Sequence, residues 1–136
     1  MVAYNKFQPF VQDIAQGVHN LATNALTYAL TNTTPAATNG VLSNITQIAY
    51  TNMSPRVPTI ASCTQTGGLL KLIINNLTLS QSTTSSAFFQ YVVFYNATPV
   101  NGNLISWWDY GSSIQLLAGD TFAIQPDAAN GILQIQ

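Results

Sequence analysis

Apolar and polar residues along this chain repeat mostly with a period of two. The strongest block is residues 88–95, where Phe88, Gln90, Val92 and Phe94 share one face and Phe89, Tyr91, Val93 and Tyr95 the other. A second apolar run, 104–110, follows a stretch rich in Pro, Asn and Gly at 98–103. Two such runs around Asn101-Gly102 predict a β-hairpin, because those residues supply the positive φ angles of a tight turn. Both faces of the first run are apolar. One therefore covers the core, and the other needs a cover from the N-terminal segment, the long loop at 32–58 or another chain. Trp107 and Trp108 are adjacent, so they point to opposite sides, one into the core and the other exposed or under a partner.

Shorter pieces elsewhere keep the same period. In residues 25–31, Leu26, Tyr28 and Leu30 alternate with Thr27, Ala29 and Thr31, which predicts a half-buried strand. Residues 59–66 read as a weak strand closed by Gly67-Gly68, and 69–79 as a stronger one bent or bulged at Asn75-Asn76. Residues 113–117, 121–125 and 132–136 complete the set, with Phe122, Ile124, Leu133 and Ile135 facing inward. The N-terminus departs from this pattern. Tyr4, Phe7, Phe10, Val11, Ile14 and Val18 are spaced by three or four residues, predicting a short helix over 9–16 that Gly17 ends. Residues 1–7 read as an extended arm whose aromatics either grip a neighbouring subunit or cap the domain's own core. As a grip, the arm is expected to be removable without unfolding the β domain.

Residues 32–58 carry Pro35, Asn39-Gly40, Pro55 and Pro58 and read mainly as a long loop, functional or pinned by a partner. About eight strands with turn signals between them and no intervening helices predict one all-β domain, a β-sandwich or jelly-roll-like fold. Within that single domain, 1–24 is the arm and short helix and 59–136 the strand-rich body.

Composition changes the picture of the surface. Charged residues are only 5% of the chain: Lys6, Arg56, Lys71 and four aspartates, for a net charge of −1. Without a basic cluster to neutralise phosphates, nucleic-acid binding is not expected. No apolar run approaches the length of a membrane span, so no membrane partner is expected either. The opening MVAYNKFQPF lacks the apolar core of a secretion signal, which places synthesis in a cytoplasm. A surface of Asn, Thr, Ser and Gln lies against another protein without the cost of desolvating ions, so the composition leans towards a protein that lives in an assembly. The five Asn-x-Ser/Thr sequons, at Asn32, Asn44, Asn52, Asn76 and Asn96, read as a by-product of abundant Asn and Thr.

Candidate chemistry is sparse. His19 is the single histidine and Cys63 the single cysteine, with no basic residue near the thiol in sequence and no possible internal disulfide. Asp120 and Asp127 fall in turns, where aspartate caps its own backbone, and Asp109 precedes Gly111 in the same way. No phosphate loop, nucleophile elbow or metal-ligand spacing occurs, so no enzyme activity, cofactor or metal is expected.

Five segments carry a resemblance: YNKFQPFVQDIAQGVHNL, ALTYALTNTTPAATN, ITQIAYTN, YVVFYNATP and LISWWDYGSSI. Together they resemble a family of small bacteriophage virion structural proteins, and are similar to the capsid cement or decoration proteins of tailed phages. The resemblance runs over nearly the whole chain. It implies a multi-copy, homo-oligomeric component on the capsid surface of a virion, made in the host bacterial cytoplasm. Such a protein binds the outer shell and bridges major capsid protein subunits. Candidate contact residues are the arm aromatics Tyr4, Phe7 and Phe10, with Arg56 between its two prolines. On the hairpin they are Tyr91, Tyr95, Trp107 and Trp108. A tail-associated protein is the alternative within the virion. A carbohydrate-binding module, with Trp107, Tyr95 or Tyr110 against sugar rings, is the alternative outside it.

Overall fold

The computed structural model describes residues 2–136. Its strands are β1 (Tyr4–Lys6), β2 (Leu26–Thr31), β3 (Ile60–Thr66), β4 (Leu69–Ile74), β5 (Leu77–Ser80), β6 (Phe89–Asn96), β7 (Asn103–Ile114), β8 (Thr121–Ile124) and β9 (Leu133–Ile135). One helix, α1 (Pro9–Ala15), and a 3-10 turn at Leu42–Asn44 interrupt them. The fold is all-β. A four-stranded sheet in the order β1-β7-β6-β2 forms one layer; β3-β4-β9 and β5-β8 face it as two smaller sheets. Every pairing is antiparallel. The expected break at Asn75-Asn76 is where β4 ends and β5 begins, and it divides the second layer in two.

The predicted hairpin is β6–β7, the centre of the large sheet. Its turn closes through Gly102 N–H to Pro99 O at 2.9 Å. Of the two residues expected to adopt positive φ, only Gly102 does, at 64°. A Cβ there would sit 2.9 Å from the Leu42 Cβ, so glycine is required by the backbone angle and by the loop packed on it.

Both hairpin faces are buried, and by this chain itself. On one side Phe89, Val92, Phe94 and Ile105 join Tyr28, Leu30, Leu72, Ile74, Leu79 and Leu133 in the main core between the layers. On the other, Val93, Tyr95 and Leu104 meet Phe7, Ala29 and Ile45, with Leu42 and Trp107 packed alongside. The second cover is therefore residue Phe7 together with the long loop at 32–58. Backbone bonds hold that loop down: Leu42 N–H to Gly102 O, Leu104 N–H to Gly40 O and Ile48 N–H to Leu30 O. With a cover on each side, β2 has all six of its residues buried rather than alternating as expected.

The face assignment of β6 also changes at one end. Phe88, expected beside Val92, is 53% exposed, while Phe89 is fully buried in the main core. Phe88 lies just before β6 begins, and the pairing there is irregular: Phe89 pairs with Ile114 but Tyr91 with Asp109, leaving a bulge of extra residues on β7. Gly111, at φ 94°, makes that excursion possible.

The N-terminal arm is not free. β1 pairs with β7, Tyr4 opposite Trp108 and Lys6 opposite Ser106. Phe7 is fully buried and Phe10 is 4% exposed, so the folded-back alternative holds and neither ring is available as a grip. Removing 1–10 takes away a strand and two core aromatics, which contradicts the expectation of a detachable arm. Phe7→Ala is expected to cost about 3–5 kcal/mol of unfolding free energy, read as a lower urea midpoint. Gly102→Ala is expected to cost roughly 1–3 kcal/mol in the same assay, whereas substitution at exposed Val100 in the same turn leaves the midpoint unchanged.

Candidate functional site

A concavity of about 900 Å³ lies where the two layers part beside β1. One wall is Val2 with Tyr4 and Lys6, which share one face of β1, together with Trp108 and Tyr110 of β7. The other runs from Phe122 through Pro126 and Asp127 to Gln134. Cross-strand pairing sets Tyr4 edge-on to Trp108, ring centres 5.8 Å apart. The β7 bulge lies just beyond, and there Tyr110 meets Phe122 edge-on at 5.6 Å. Phe122 in turn contacts Phe89 of the main core at 5.3 Å, which anchors this wall. Tyr4 and Tyr110 are 41% and 50% exposed, so the groove presents aromatic rings to solvent on a chain with few charges. Burial pushes the Tyr4 phenol above its ordinary value, so the ring remains an uncharged donor at neutral pH.

The two edges of the large sheet differ. At β2, the Tyr28 N–H donates to Arg56 O at 3.0 Å, the Arg56 guanidinium donates to Tyr28 O, and the Leu30 N–H donates to the Tyr50 hydroxyl at 2.9 Å. The guanidinium also lies 3.5 Å from the Tyr50 ring centre. Arg56 thus seals a sheet edge inside its own chain, which overturns its expected place as a loop cation offered to another subunit. At β1 no comparable seal exists among the described residues.

The candidate contact residues divide accordingly. Tyr4 and Trp108 line the groove. Trp107 points to the opposite face and packs tilted against Phe7, ring centres 4.5 Å apart, so the paired tryptophans serve different cores and both are half-buried. Tyr91 is 8% exposed with its hydroxyl 2.8 Å from Thr34 Oγ1, and Tyr95 is 7% exposed in the second core. Both rings are covered by loop 32–58 rather than a partner, a correction to their expected place. Phe122 was expected inward, and its part in the groove depends on a strand ending beside the β7 bulge, which no local pattern encodes.

A second, shallower hollow brings Cys63 and His19 together. His19 Nδ1 faces the Asn96 amide at 3.1 Å, and Nε2 lies 3.8 Å from Asp13 Oδ2. Asn96 also donates to Asn24, and Asn103 to Asp13 at 2.9 Å, so the cluster ties α1 and the segment after it to both strands of the hairpin at its turn end. Nδ1 is engaged by Asn96 while the buried Nε2 makes no hydrogen bond, and burial raises the Cys63 thiol above its ordinary value. Nothing there draws a proton from the thiol. Asp109, Asp120 and Asp127 cap backbone N–H groups of Gly111, Leu117 and Ala129. Among the described residues no cluster of three potential metal ligands occurs, and no helix is long and apolar enough to cross a membrane. No family model, curated protein or solved structure matches this chain.

Burial lowers the His19 pKa from its ordinary 6.5, with Asp13 opposing more weakly. The folded state therefore resists a proton that the unfolded chain accepts. Stability is full above pH 6.5 and falls as the pH drops from there towards the folded pKa. Urea midpoints of the wild type are expected to fall between pH 7 and 5.5, and those of His19→Gln to stay level across that window, where carboxylates do not titrate.

Proposed function

We propose that the protein is a bacteriophage virion structural protein, a capsid cement or decoration protein that binds the outer shell and bridges major capsid subunits. The resemblance over nearly the whole chain supports the class. The observation that carries the reading is the aromatic groove: exposed Tyr4 and Tyr110 beside Trp108 and Phe122, on a chain only 5% charged. Binding surfaces are enriched in aromatic residues and depleted of charge at their centres, because rings bury large area while ions resist desolvation. A protein that binds only the assembled shell favours it by mass action, and many weak junctions on one lattice add up. In this reading the protein resides on the capsid surface and is made in the bacterial cytoplasm. Its contacts come from the groove wall; the buried Phe7, Phe10, Tyr91 and Tyr95 hold that wall in place.

One observation favours a second reading. Gln125, Asn130 and Gln134 line the same groove, and exposed aromatics with amides in one concavity are suited to neutral sugars. Sedimentation with empty capsids separates the two. The cement reading expects wild-type protein to pellet with capsids, and Tyr110→Ala to bind about tenfold more weakly, near 1.4 kcal/mol, with an unchanged melting temperature. Absence of capsid binding together with binding to surface glycans would overturn it in favour of the sugar-binding reading.

A further inference from the structure

We propose that the free edge of β1 pairs with β1 of a second copy, antiparallel and centred on Asn5, joining two four-stranded sheets into one continuous sheet. The pairing is a property of the isolated chain and does not depend on what the groove binds.

Phe7 N–H donates to Ile105 O at 3.1 Å, so by antiparallel alternation Phe7 and Asn5 direct their amides and carbonyls to β7. Those of Tyr4 and Lys6 then point outward. Among the described residues no backbone or side-chain group bonds to them from outside the sheet, in contrast to β2, where Arg56 and Tyr50 occupy the edge. Unpaired strand edges are templates for another strand.

The occupant follows from self-complementarity. With a two-fold axis at Asn5, each Tyr4 stands opposite Lys6 of the other copy in a hydrogen-bonded pair, a cation beside a ring. Centring on Lys6 would instead oppose two like charges. Lys6 and Asp127 line the same groove and carry opposite signs, so the patch is its own electrostatic complement; a strongly charged partner has no matching field here. The incoming Tyr4 and Lys6 side chains project over the groove face, where there is open volume. A net charge of −1 leaves little repulsion between copies. The competing reading is that a short edge strand bearing a lysine is guarded against pairing.

Two measurements on the full chain decide between them. In analytical ultracentrifugation across a concentration series, wild type is expected to dimerise. Tyr4→Lys, which opposes Lys6 with a like charge twice per dimer, weakens association about tenfold, while Tyr4→Glu stays within about threefold of wild type at low salt. Both variants lose the same ring, so only the charge distinguishes them. Asn5→Cys is expected to cross-link across the axis under mild oxidation, where paired Cα atoms lie within disulfide reach. Val100→Cys, on a residue 99% exposed, and wild type with only Cys63 are the controls. A monomeric wild type, equal association of the two Tyr4 variants, or Asn5→Cys cross-linking no faster than Val100→Cys overturns the pairing. A monomer whose capsid sedimentation is lost in Tyr4→Lys assigns the edge to a capsid strand instead, and also overturns it.

Discussion

The fold depends on burying a hairpin that is apolar on both sides. A two-sided apolar strand pair is stable only between two covers, and this chain provides both. The β3-β4-β9 and β5-β8 sheets close one face around Phe94 and Ile105. The stretch from 32 to 58, with Phe7, closes the other around Val93, Tyr95 and Leu104. That stretch has almost no regular structure, yet it acts as a third layer. Its prolines and asparagines set a path over the sheet, and Leu42 and Ile45 supply the apolar contacts.

The same loop explains the asymmetry of the molecule. Having crossed the second face, it returns along β2, where Tyr50 and Arg56 occupy the edge. The opposite edge receives only β1, three residues long. Exposed aromatic surface and unpaired strand groups therefore gather on that side. The layers part there, Tyr110 and Phe122 lean together over the β7 bulge, and strand groups face solvent. Polar side chains mostly serve the fold. The aspartates cap turns, and the His19–Asn96–Asn24 cluster fastens the helical segment to the hairpin.

Much of this was legible from residue order because it is local. Alternation placed β2, β6 and β7, the three- and four-residue spacing placed α1, and Gly17, Asn75-Asn76 and Gly102 marked ends and turns. The errors share one origin. Phe89 took the core place assigned to Phe88 at an irregular strand start, beside a register shift that depends on the partner strand. Whether Phe7 and Phe10 grip a neighbour or cap their own core stayed open in the sequence because nothing local reports that β1 pairs with a strand a hundred residues away.

By itself, then, the sequence determined the class of fold, the central hairpin, the sparse charge and the need for two covers, since each follows from side-chain period and composition. Which segment supplies the second cover, which aromatics reach solvent and which sheet edge stays open were decided only in the tertiary structure. Those outcomes rest on contacts between distant residues and on bulges that re-aim side chains. Neither leaves a periodic trace in the chain.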